Sequence, residues 1–121
     1  MDYLYGKFSD KQILEAAHIM HSDIHKLLLY KDKRITEKIF NSEEDFIIYF
    51  DNLLFKFGGL NSLLGEPKLM IVLMATLKAA YNEVQKEHFS YRLFRKAILD
   101  SHGYIKSMFE EVDENAMSDN S

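Results

Sequence analysis

A chain of 121 residues, 47% hydrophobic and 28% charged, fits one globular domain that can bury a core without covalent staples. Having no cysteine, it excludes disulfides, thiolate nucleophiles and Cys-ligated zinc. The net charge of −4 lies at one end: residues 110–121 hold Glu110, Glu111, Asp113, Glu114 and Asp119 with no Lys or Arg, and taking those five from 19 acids leaves 14 against 15 bases, too neutral a body for a global nucleic-acid footprint.

In chain order, Met1–Asp10 carries Asp2, Lys7 and Asp10 among aromatics and lacks an apolar signal-peptide core, so a cytoplasmic protein is expected. The first helix is predicted over Asp10–Tyr30, with Ser9 as its N-cap. Ile13, Ala17, Met20, Ile24 and Leu27 form one apolar stripe along it. Lys31–Arg34 reads as a charged loop, followed by a short helical piece around Thr36–Phe40. Ser42-Glu43-Glu44-Asp45 resembles a capping box and opens the second helix, which runs through Phe46, Phe50, Leu53 and Phe57 and is expected to stop at Gly58-Gly59.

Leu60–Leu64 then reads as a short helical turn. Pro67 is expected in the first turn of a third helix that fades near His88. Its opening run, Leu69–Met74, is apolar on every side, which predicts the most buried helix of the set. Even extended to Ala75, this run falls far short of the roughly 20 residues that span a bilayer. Ser90 caps a last helix over Tyr91–Val112, with Gly103 as a weak point costing about 1 kcal/mol relative to Ala. Beyond it, residues 113–121 read as an acidic, disordered tail to a 1–112 helical domain. No segment alternates apolar and polar residues as a strand does. The fold class expected is all-α, a single-domain bundle of about four main helices with one or two short helical turns.

Histidines give the clearest chemical pattern. His18, His21 and His25 share one side of the first helix, and His21 and His25 have the i, i+4 spacing that lets two imidazoles hold one metal. Further ligands would come from elsewhere, His102 with Asp100 or His88 being the candidates. A zincin would carry Glu where Ser22 stands, and a ferritin-like di-iron site needs Glu-x-x-His on two helices, which the sequence does not supply. No nucleophile elbow, phosphate loop or dinucleotide fingerprint is present. Carboxylate pairs such as Glu43/Glu44 sit at helix ends, where solvated charge is expected.

Arg92, Arg95 and Lys96 make a small basic cluster beside Tyr91 and Phe94, a nucleic-acid candidate set against a plain solvated face. A second basic cluster is Lys31, Lys33, Arg34 and Lys38. A helix-turn-helix over Gly58–Ala80 is excluded because its second helix would offer apolar side chains where base edges need polar ones. Apolar surface is in surplus: Ile48, Tyr49 and Phe55 on the second helix and Tyr3, Leu4, Tyr5 and Phe8 before the first exceed the needs of a small bundle, as at an interface.

The sequence therefore reads as a non-enzymatic helical interaction protein, self-associating, with no cofactor and no membrane span. The alternatives are a metal-binding bundle using His18, His21 and His25, and a nucleic-acid module using Arg92, Arg95 and Lys96. Many Lys, Ile, Asn, Tyr and Phe with one Pro and no Trp suggest an AT-rich bacterial or phage genome. In size and character the chain is like small accessory proteins of phages and mobile elements, such as assembly chaperones, inhibitors and immunity proteins. No residue roles carry over from that likeness.

Overall fold

The computed structural model describes the backbone of residues 2–3, 6–7, 10–32, 34 and 39–119, and the side chains of residues 11–32, 34 and 39–109. Four helices, α1 (Asp10–Lys31), α2 (Glu43–Leu63), α3 (Lys68–Val84) and α4 (Tyr91–Asp119), make an all-α bundle. Two short strands, β1 (Asp2–Tyr3) and β2 (Gly6–Lys7), pair antiparallel ahead of it. Contacts run α1 to α2, α2 to α3 and α3 to α4, and α1 packs back onto α4, so the helices close a ring around one core.

On α1 the expected stripe is the buried one: Ile13, Ala17, Met20, Ile24 and Leu27 all leave solvent. The helix runs one residue further, and Lys31 belongs to it rather than to a loop. The N-cap assigned to Ser9 lies outside the described residues. So does most of the Thr36–Phe40 piece, whose described members Ile39 and Phe40 are not helical.

The start of α2 follows the capping prediction. Ser42 has an extended backbone, and its hydroxyl accepts a hydrogen bond from the Asp45 amide at 3.1 Å. Its end does not. The helix continues through Gly58 and Gly59 to Leu63, absorbing the turn expected at Leu60–Leu64. Buried Phe57 and Leu64 bracket the glycines, and burial of that order outweighs the roughly 1 kcal/mol each costs in a helix. The stop comes at Gly65, in the left-handed region (φ 80°). The Glu66 amide donates to Asn61 O and the Gly65 amide to Ser62 O, the paired bonds of a Schellman ending. Glu66 is itself left-handed (φ 57°), which strains a non-glycine residue before proline.

In α3, Pro67 is the N-cap and the helix ends at Val84, before His88. The all-round burial expected of Leu69–Met74 is not found. Met70 and Leu73 are buried, but Ile71 is 52% exposed, because only one side of α3 meets the core.

Ser90 caps α4: its hydroxyl accepts from the Leu93 amide and its carbonyl from the Phe94 amide. Phe94, Ile98, Ser101, Ile105 and Phe109 form its buried stripe. The helical backbone extends to Asp119, past the expected end at Val112. No Gly or Pro interrupts residues 110–119, and Glu, Ala and Met among them favour helix.

Candidate functional site

The α1–α4 seam gathers the histidines. His21 on α1 and His102 on α4 meet with their Nδ1 atoms 2.7 Å apart. Their planes differ by 12° and their centroids lie 5.0 Å apart, the separation of two rings meeting edge to edge across such a contact. One Nδ1–H therefore donates to the lone pair of the other, in plane. Burial, with His21 and His25 alongside, pushes His102 down to about 4. Burial, then His18, lowers His21 as well. A proton on the accepting Nδ1 would put two N–H groups head to head, so the contact itself disfavours charging the accepting ring.

His25 stays outside the contact, its ring tilted and 6.2 Å from that of His102. His18 is exposed and lines a shallow cleft with His21, Leu14, Ala17, Lys106 and Phe109. His21 thus takes its partner from α4 rather than closing on His25 one turn away. Two nitrogens bound to one tetrahedral zinc stand about 3.3 Å apart, wider than the 2.7 Å seen here. Among the described residues no group of three or more His, Asp or Glu is arranged to hold a metal ion. Glu15 and His18 do have one Glu-x-x-His spacing, but both are exposed on α1.

The expected interface residues divide. Ile48 is 52% and Phe55 85% exposed, seven residues apart on one outward line of α2. Tyr49 is engaged within the protomer: its hydroxyl donates to the Asp23 carbonyl at 2.9 Å, and burial, then Asp23, pushes it up to about 12. Tyr3 contributes to β1 through its backbone, while Leu4, Tyr5 and Phe8 lie outside the described residues.

Two apolar grooves flank α3. One, towards α2, is lined by Leu54, Phe55, Met74, Ala75 and Tyr81. The other, towards α4, is lined by Ile71, Val72, Ala79, Leu93 and Ala97, and it shares Ala75 with the first. Leu93 (57% exposed) and Leu99 (42%) carry the apolar surface onto α4, where Arg92, Arg95 and Lys96 rim it. The nucleic-acid candidates therefore stand among exposed leucines and beside Asp100, which binds Lys96 at 2.8 Å. Ile71, Leu93 and Leu99 escaped sequence reading because each lies beside residues that are buried.

Of the second basic cluster, Lys31 is not solvated. Its ammonium lies 4.8 Å from the centroid of Phe46 and 5.2 Å from that of Phe89, and it pairs with Glu43. Arg34 is held by both carboxylate oxygens of Asp32, and Lys33 and Lys38 lie outside the described residues. Among those residues, no helix is long and apolar enough to cross a membrane. Compared with known proteins, the chain matches no family model, no curated protein and no solved structure.

Proposed function

We propose that this chain is a non-enzymatic, cytoplasmic protein–protein interaction protein that self-associates, of the accessory type seen in phages and mobile elements (assembly chaperone, inhibitor or immunity protein). The observation that carries the reading is the outward apolar face of α2, α3 and α4. A phenylalanine at 85% exposure, together with Ile71 and Leu93, borders grooves that the protomer's own side chains leave open. Exposed apolar groups gathered at grooves and rimmed by charge are the ordinary composition of a protein interface.

The polar groups support a structural rather than a catalytic role. Ser42 and Ser90 cap helices, and Ser101 donates to the Ala97 carbonyl of its own helix. Glu83, the one buried carboxylate among the described residues, is held below the usual range by Lys86 and then by the Ser90 amide. It is thus an ionised structural group, unlike a general acid, whose pKa must be raised.

Light scattering tests the reading. The expected result is a dimer or larger assembly whose mass is unchanged by chelator or zinc. A monomer at every concentration would sink self-association. A zinc-dependent change in mass or melting temperature would favour the histidine cluster as a metal site.

A further inference from the structure

The charges of α4 run against its own dipole. Arg92, Arg95 and Lys96 stand in its first two turns, at the positive end, and the sequence places Glu110, Glu111, Asp113, Glu114 and Asp119 towards its negative end. A helix in isolation is stabilised by the opposite arrangement. At 29 residues against 17 for α3, α4 is also about 18 Å longer than its main neighbour.

One outward line of α4 passes through positions 92, 96, 99, 103, 107, 110 and 114, at steps of 4, 3, 4, 4, 3 and 4. Those of its members whose side chains are described are all exposed. The steps read the same in both directions, and their midpoint is Gly103. Glycine is unfavourable within a helix, and this one serves no packing need of the protomer, since a Cβ added there would meet nothing within 4 Å.

We propose that two copies of this chain pair antiparallel through the outer face of α4, crossing at Gly103. This rests on the self-association reading and names its interface. In that register Lys96 falls opposite the second copy's Glu110, and Arg92 opposite its Glu114, each pair occurring twice by symmetry. The missing side chain at Gly103 lets the backbones approach at the two-fold axis. Leu99, exposed one turn away, is covered by the approach. A shallow crossing of about 20° keeps the outer pairs of positions, roughly 16 Å along the helix from the midpoint, on facing sides of the two helices.

Charge complementarity is what selects a second copy as the occupant, because the basic end and the acidic end belong to the same helix and match only when it is reversed. Arg92 and Arg95 form no ion pair among the described residues. Lys96 is shared with Asp100, but that is an exposed i, i+4 pair of small worth, and an ammonium has three donors.

The test exploits the absence of cysteine. A Gly103→Cys variant carries a single thiol, placed at the two-fold axis, where Cα separations suit a disulfide. It should cross-link between copies under mild oxidation, while Glu87→Cys, exposed beyond the end of α3, should not. The pair Glu110→Arg and Glu114→Arg should weaken the dimer at least about tenfold in low salt. Adding Arg92→Glu and Lys96→Glu to the same chain should restore it. Each reversal suits the helix dipole better than the native residue, so lost mass would not reflect a misfolded helix, and circular dichroism checks this. A wild-type dimer that ignores these changes but is lost with Phe55→Glu would overturn the α4 interface and leave self-association standing through α2. A wild-type monomer would overturn both.

Discussion

Two regions of the bundle treat their exposed groups differently. At the α1–α2 corner several polar side chains find partners within the protomer. Lys31 lies over Phe46 and Phe89 and pairs with Glu43, Tyr49 donates to the Asp23 carbonyl, and Lys56 binds the Asp23 carboxylate at 2.8 Å. On the α3–α4 outer face Ile71, Leu93 and Leu99 stay in water, and Arg92 and Arg95 lack ion pairs among the described residues. At the corner these polar groups are satisfied within the protomer. The outer face leaves apolar and charged groups for another molecule, and the contrast separates residues kept for stability from residues kept for association.

The strongest way to break that contrast is to remove a side chain from each region. Phe46 is fully buried, with its ring centroid 4.9 Å from Tyr30 and 6.0 Å from Phe50. Phe46→Ala should cost about 3–5 kcal/mol in urea unfolding. Ile71→Ala should stay within about 0.5 kcal/mol in the same assay while changing the association constant. Equal losses from both would erase the distinction.

Acidification probes the α1–α4 seam next. A histidine has a pKa of about 6.5 in an unfolded chain, whereas folding holds His102 at about 4. Below pH 6.5 the unfolded chain takes up a proton that the folded chain refuses. Stability is therefore complete above that value and is lost as pH falls towards 4. Allowing for the ring's partial exposure, the loss should be about 1–2 kcal/mol. His102→Asn should flatten the slope of thermal midpoint against pH between 7 and 4.5, and an unchanged slope would place the acid sensitivity elsewhere.

A smaller effect is expected at the corner's hydrogen bond. Tyr49→Phe leaves the ring in place and removes the donor to the Asp23 carbonyl, for about 1 kcal/mol. The smallest has the opposite sign. Glu66→Gly relieves a left-handed residue and should stabilise by about 0.5–1 kcal/mol, a gain offset in part by the freer unfolded chain. A loss of stability there would mean that the Glu66 side chain offsets its backbone strain.

Legibility in the sequence followed the same division. The α1 stripe was readable because polar residues separate Ile13, Ala17, Met20, Ile24 and Leu27, so periodicity alone marks the inward side. The Leu69–Met74 run offers no such contrast. Which of its members face solvent depends on where α2 and α4 pack, and that is tertiary information. Gly58-Gly59 looked like a stop because glycine favours one, but the local preference yielded to burial of Phe57 and Leu64, and the left-handed turn fell at Gly65. In the histidine cluster the i, i+4 rule could suggest His21 with His25. It could not choose His102, which lies 81 residues away, over other distant candidates.

The Glu83 carboxylate ties the loop after α3 by accepting from the Ser90 amide at 2.9 Å and binding Lys86 at the same distance. Its consequence is kinetic. The α3–α4 hairpin is stapled through residues close in sequence, so its loop-closure entropy is small and it is expected to form early. Docking α1 onto α4 must close most of the chain before any contact rewards it. The order of assembly that follows is hairpin first and ring second, with the two histidines meeting at the last join.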